Sequence, residues 1–286
     1  MLIKRTLTIL VLAVVGIPAI MLGGVYYFVI LTAFLAVAAW EYGQMFTKAG
    51  SRIPQALLIA SVVLIAIART TFLTDLVAGW LGIITPPELA EAVLVFSIFA
   101  AMAWYLLDYE SGHDRAASDF AVTAAGIVYL GWIGSYMIDL RNMPGGMWWV
   151  LIVLPSIWLA DIGAYLVGSR YGKHSLSPRL SPKKTWEGYW AGVVISTLGT
   201  TGLVILWHSL GGPDVAWWTG AALGAAISIL SALGDLGESM FKRQAGVKDA
   251  SNFFPGHGGV FDRIDSWLWG GAIGYFLILW FLNKGL

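Results

Sequence analysis

Cysteine is absent from the 286-residue chain, and charge is scarce, at 12% of residues. Without cysteine there is no disulfide, no thiol nucleophile and no thiolate-ligated zinc. An ordinary soluble domain carries about 25% charged residues. About half that level, with 58% hydrophobic residues and a mean hydropathy of +0.75, excludes intrinsic disorder and points to lipid as the main solvent. Lys+Arg and Asp+Glu balance at 17 each, so the basic surface of a nucleic-acid binder is missing too. There is no long linker, low-complexity tract or obvious internal repeat. Residues 1–286 read as one integral membrane domain.

Apolar runs of about 17–25 residues cross a bilayer as helices. Nine segments approach that length: Thr6–Leu22, Val25–Trp40, Pro54–Ala68, Ala92–Leu107, Phe120–Ile138, Met147–Gly168, Tyr189–Trp207, Val215–Gly234 and Trp267–Leu282. Pro54–Ala68 is the weakest. It either runs on through Arg69 to Leu73 or leaves Phe72–Ile84 as a re-entrant stretch. Cations decide the count, because Lys and Arg concentrate on cytoplasmic loops. With nine spans and the N-terminus inside, 14 of the 17 Lys and Arg lie inside; Arg69, Arg141 and Lys284 lie outside. A tenth span near residue 75 reverses the bias from Arg115 onward. The first run follows Lys4 and Arg5 but has no clear small-x-small cleavage site, so it is expected to stay as a span. The expected fold is all-α and polytopic, with about nine transmembrane helices, the N-terminus cytoplasmic and the C-terminus outside.

Two cytoplasmic loops, 169–188 and 235–266, stand out, and residues 92–286 are expected to form the catalytic part. Asp235, Glu238, Ser239 and Lys242 fall at helical spacing and share one face. That face is either a solvated helix end with a Glu238–Lys242 pair or the wall of a polar site, and spacing alone leaves these equal. Pro255, Gly256, Gly258 and Gly259 make a tight loop around His257, either an ordinary turn or a close approach to a phosphate. Asp262, Arg263 and Asp265 come immediately before the ninth span. A single Asp there serves as a helix cap; two flanking an Arg call for more, and with Asp235 they form a candidate set for magnesium. Asp161 lies inside the sixth span, where an ionisable group faces a cavity or a partner helix. Lys173, Arg179, Lys183 and Lys184 form a basic cluster that fits positive-inside topology as well as phosphate binding. His113 and Arg115, with Asp108, Glu110 and Asp114, read as a solvated loop. Trp148–Trp149 and Trp217–Trp218 fit interfacial belts.

The residues carry more than their spacing. Ser239-x-Phe241-Lys242-Arg243, then Lys248-Asp249, then Pro255-Gly256-His257-Gly258-Gly259-Val260-x-Asp262-Arg263-Ile264-Asp265 resembles the signature of the phosphatidate cytidylyltransferase (CDP-diacylglycerol synthase) family. Asp161, Gly163, the Gly-Lys-His run at 172–174 and Ser-Pro-Lys-Lys-Thr-Trp-Glu-Gly at 181–188 resemble the same family. Ile162 is a small departure, since a small hydroxyl residue often stands there.

The resemblance implies transfer of CMP from CTP to phosphatidate, giving CDP-diacylglycerol and pyrophosphate. It implies Mg2+ on Asp235 and Asp262 with Asp265 and Asp249, and allows a second cation such as K+. Lys242, Arg243, Lys248 and Arg263 would hold phosphates. His257, Gly258 and Gly259 would line the nucleotide pocket beside Ser239. Lys183, Lys184, Thr185 and Glu187 would close the site, and Asp161 would face it. The implied setting is the cell (inner) membrane with the site toward the cytoplasm, and a homodimer. No protein nucleophile is required, since phosphoryl-type transfer rests on positioning and charge neutralisation. A CTP-dependent lipid kinase or an ether-lipid cytidylyltransferase shares the CTP and the membrane. A transporter would suit the glycine-rich spans and Asp161, but the informative charges gather at one boundary and inverted repeats are not apparent.

Overall fold

The structure, a computed structural model, describes residues 14–70, 86–251, 253 and 258–285. The elements are α1 (Gly24–Lys48), α2 (Gln55–Ala68), α3 (Pro86–Glu110), α4 (Ala116–Gly126), a π-helical stretch (Ile127–Ile133), α5 (Tyr136–Asn142), α6 (Gly146–Tyr171), β1 (Ser175–Ser177), β2 (Ser181–Thr185), α7 (Trp186–Ser209), α8 (Trp217–Gln244) and α9 (Phe261–Lys284). Residues 14–22 are also helical. Among the described residues, seven helices are long and apolar enough to cross a membrane, counting α4 through α5 as one. Residues 6–13 of the first expected span and the whole Phe72–Ile84 stretch lie outside the described residues. The α2 helix has 14 residues, about 21 Å at 1.5 Å per residue, which is short of the ~30 Å hydrocarbon core.

The chain forms two compact units, Met1–Asp139 with Gln244–Ile264, and Leu140–Arg243 with Asp265–Leu286. In the first unit α2 packs on α1, α3 and the π-helical stretch. Small residues permit this: a Cβ on Gly126 would meet Tyr42 Cε1 at 2.7 Å, and one on Gly131 would meet Ile65 Cδ1 at 2.9 Å. Arg69 ends α2 and is buried. Its guanidinium pairs with Asp139 and stacks 4.2 Å from the Trp132 ring centre and 4.1 Å from Tyr136. Arg69 is thus held against protein by Asp139, Trp132 and Tyr136 and is not a solvated loop residue.

The polar loop near residue 113 is only partly solvated. Glu110, Asp114 and Arg115 are exposed, but the His113 and Asp119 side chains are 12% and 1% exposed, with Nε2 to Oδ2 at 2.8 Å. The Arg52 amide also donates to Asp119 Oδ2, at 2.8 Å, so three chain segments meet on one carboxylate.

In the second unit α6 and α7 form the most extensive helix pair. Glycine lets the backbones close up: a Cβ on Gly192 would lie 2.6 Å from the Ala160 carbonyl oxygen, and one on Gly188 2.7 Å from that of Ala164. Buried hydroxyls extend the tie to α8. Ser196 donates to Ser156 O (2.8 Å) and Gly224 O (3.2 Å), and Thr200 donates to Ser156 Oγ (2.8 Å). Trp149, expected at an interface, is fully buried, with its indole N–H on Pro144 O at 3.0 Å.

Candidate active site

The expected loop 169–188 is mostly ordered as regular structure. Helix α6 runs to Tyr171, and β1 and β2 form an antiparallel hairpin with Ser175 opposite Thr185 and Ser177 opposite Ser181. Thr185 then caps α7, its Oγ1 accepting the Gly188 amide at 3.2 Å, which satisfies one of the free amides of a helix start. Glu187 clamps the turn before the hairpin. It accepts the amides of Lys173 (3.1 Å) and His174 (3.2 Å) and contacts His174 Nδ1 at 2.6 Å.

The second segment, 235–266, is helical at both ends. Helix α8 continues to Gln244, so Asp235, Glu238, Ser239, Lys242 and Arg243 are on it. Helix α9 begins at Phe261, so Asp262, Arg263 and Asp265 lie in its opening turns rather than ahead of it. The helix starts early because the apolar Phe261 is itself buried.

In the second unit these pieces enclose a cleft of about 540 Å³. Its walls come from α6 (Asp161, Gly168), the hairpin (Lys183, Lys184, Thr185), α7 (Gly188, Tyr189), α8 (Ser228, Asp235) and Ser266. At one side, Asp235, Glu238 and Asp265 bring carboxylate oxygens within 4.8 Å of one another; the last two are buried. Lys184 forms an ion pair with Asp235, and Lys242 pairs with Glu238 at 2.5 Å. Burial pushes the Lys184 ammonium below the ordinary lysine range, against the upward pull of Asp265, Asp161 and Glu238 and with a further push from Lys242. Arg243 reaches the hairpin, its Nε–H donating to Leu180 O at 3.5 Å.

Three clustered carboxylates with two ammonium groups among them fit a hard divalent cation. Such ions take oxygen ligands from a few carboxylates and complete their shell with substrate phosphates and water. Of the expected ligands, Asp235 and Asp265 fall in this group, and Glu238 joins them. Asp262 and Asp249 belong to the first unit and are not in it. Asp262 Oδ2 accepts the Gly259 amide at 2.7 Å and the Ala250 amide at 2.9 Å. Gly258 turns with φ +81°, and a Cβ on it would meet Asp262 Oδ2 at 2.6 Å. Lys248 and Asp249 are exposed, as are Arg243, Arg263 and Lys183. His257 lies outside the described residues.

Glu41 is a functional candidate that sequence reasoning missed. It is fully buried and accepts bonds from Ser251 Oγ, Val260 N and Phe261 N. One signal was available, an acid directly after the apolar run that ends at Trp40.

Fold and cleft define a polytopic membrane protein with three carboxylates and two ion-paired lysines gathered beside one cleft. A family model described as the cytidylyltransferase family matches residues 3–281, and the chain belongs to that family. It is 34% identical over 277 residues to a phosphatidate cytidylyltransferase of Pseudomonas aeruginosa, covering 93% of each chain. It is 32% identical over 300 residues to one of Synechocystis, covering 93% of this chain and 94% of that one. It is 31% identical over 268 residues to one of Staphylococcus saprophyticus, covering 92% and 94%.

Proposed function

We propose that the chain transfers CMP from CTP to phosphatidate, releasing pyrophosphate and leaving CDP-diacylglycerol in the membrane. One observation carries the chemistry: Asp235, Glu238 and Asp265 form one cluster at the cleft, with Lys184 paired to Asp235 and Lys242 to Glu238. The named relatives support the substrates. A lipid phosphate oxygen attacks the α-phosphorus of CTP and the bond to the β-phosphate breaks. Both reactants are anionic, so the protein's work is to bring like charges together and neutralise what accumulates.

Asp235, Glu238 and Asp265 would hold Mg2+, which supplies charge neutralisation at phosphate oxygens. Asp262 and Asp249 are proposed as further ligands on the strength of the signature; a carboxylate offers about four acceptor positions, so the amides on Asp262 Oδ2 do not use it up. A second cation such as K+ belongs to the same proposal. Lys184, Lys242 and Arg243 bind phosphate oxygens, with Lys183, Lys248 and Arg263 as outer cations. Ser239, Thr185, His257, Gly258 and Gly259 orient the nucleotide. Glu187 keeps the hairpin in register, and Asp161 sets the polarity of the cleft wall.

The proposed topology has nine spans, with the N-terminus and the site on the cytoplasmic side of the inner membrane and the C-terminus outside. The supporting argument is charge sorting: with nine spans, 14 of the 17 Lys and Arg fall on one side. CTP then arrives from the cytosol and phosphatidate from the leaflet. The resemblance extends the proposal to a homodimer. The test is turnover of labelled CTP by purified protein with phosphatidate and magnesium in detergent. A diphosphate-linked CMP-lipid with equimolar pyrophosphate is the expected product; a simple phosphorylated lipid with CDP would replace this reading with a lipid kinase.

A further inference from the structure

Glu41 is 0% exposed on α1, an apolar spanning helix. Glutamate is almost never fully buried unless its charge is met. Here it is met by three donors. Oε1 accepts Ser251 Oγ–H at 2.5 Å and the Val260 amide at 3.0 Å, and Oε2 accepts the Phe261 amide at 2.7 Å. The two amides sit at the start of α9, where backbone N–H groups lack helical acceptors and the helix dipole favours an anion. Gly259 makes room, since a Cβ on it would sit 2.5 Å from Glu41 Oε2. Just beyond, Asp262 fastens the Gly259 and Ala250 amides. The described amides of 259, 260 and 261 are therefore all taken by carboxylates of the protein itself. A phosphate near this end of α9 would not find these three amides free.

We infer that Glu41 is a positioning residue for the nucleotide, acting through the start of α9 to set where Gly258, Gly259 and Arg263 stand. The inference rests on the reading that this end of α9 serves CTP. A carboxylate suits the task because all three partners donate to it. An amide in its place would turn an NH2 group toward at least one of those donors. Whichever way that amide turned, one of the two buried amides at the α9 start would lose its acceptor.

The experiment compares Glu41→Gln, Ser251→Ala, Leu35→Ala and Arg263→Ala with wild type, as full-length protein in detergent. Michaelis constants for CTP and phosphatidate and thermal midpoints are read for each. Leu35 is a fully buried residue of the same helix, so its truncation lowers stability without touching the α9 start. Glu41→Gln should raise KM for CTP about tenfold while KM for phosphatidate stays within about twofold. Ser251→Ala, which removes one of three bonds and is mild enough to fold, should raise KM for CTP about threefold. Leu35→Ala should lower the thermal midpoint and leave both constants alone. Wild-type KM for CTP in both Glu41→Gln and Ser251→Ala, or shifts no larger than those of Leu35→Ala, would overturn the inference. If Arg263→Ala also leaves KM for CTP unchanged, the placement of CTP at this end of α9 fails and takes the inference with it. If Arg263→Ala raises it while the other two do not, only the role of Glu41 falls.

Discussion

The two lysines of the cleft are held in different ways. Lys242 stands four residues from Glu238 on α8, so one helix fixes that pair. Lys184 comes from the hairpin, and its pair with Asp235 exists only when the hairpin is docked on α8. Burial disfavours its charge, and a bound anion would favour it. Lys184→Ala should therefore reduce kcat/KM about 10²–10³-fold, the usual loss for one preorganised electrostatic contact. Steady-state turnover with both substrates checks this, and a loss under threefold would remove Lys184 from the phosphate contacts. Asp262→Asn should abolish turnover with membrane insertion intact; full activity would take Asp262 out of the ligand set. Far from the chemistry, Asp139→Ala should cost about 3–5 kcal/mol, because it leaves the buried Arg69 charge unpaired. A thermal or denaturant unfolding series in detergent would show it, and a cost under ~1 kcal/mol would mean that Trp132 and Tyr136 suffice.

At the scale of elements, the cleft depends on two helices lying unusually close. Gly163, Gly188 and Gly192 line the α6–α7 contact; a Cβ on Gly188 or Gly192 would run into backbone, and one on Gly163 would meet Ile195 Cδ1 first and backbone just behind it. Gly192→Leu should part the helices, at a typical overpacking cost of about 1–3 kcal/mol. The same substitution should widen the cleft and depress turnover more than stability alone explains. Unfolding and activity measured on one preparation separate the two, and wild-type activity at reduced stability would show that the cleft tolerates the shift. The hairpin is the second element with a job. Thr185 starts α7, Glu187 holds the turn ahead of it, and between them Lys184 is delivered to Asp235.

For the whole molecule, the absence of cysteine gives a clean background for mapping sides. Single cysteines at Arg179 or Lys248 should react with an impermeant thiol reagent only from the cytoplasmic side, and one at Lys284 only from the other. Labelling of all three from the same side would reject nine spans. Excess chelator should stop turnover and added magnesium restore it; activity persisting in chelator would sink the metal assignment.

Much of this was legible in the one-dimensional pattern. Low charge, apolar runs and sorted cations specify a helical membrane protein because lipid leaves a backbone few alternatives. The signature contained Lys242 and Asp265 of the cluster, and helical spacing put Asp235, Glu238 and Lys242 on one face. Other features depended on contacts between distant segments. Asp235 and Asp265 lie on different helices, and only packing brings their oxygens within 4.8 Å of each other. Glu41 is separated from Phe261 by 220 positions. An isolated acid at the end of an apolar run carries no information about which amides it will meet. The sequence by itself determined the solvent, the element type and the chemical inventory, all of which follow from local composition and period. Tertiary structure decided which charges neutralise which, because ion pairs and caps act over a few ångströms in space, whatever their distance along the chain.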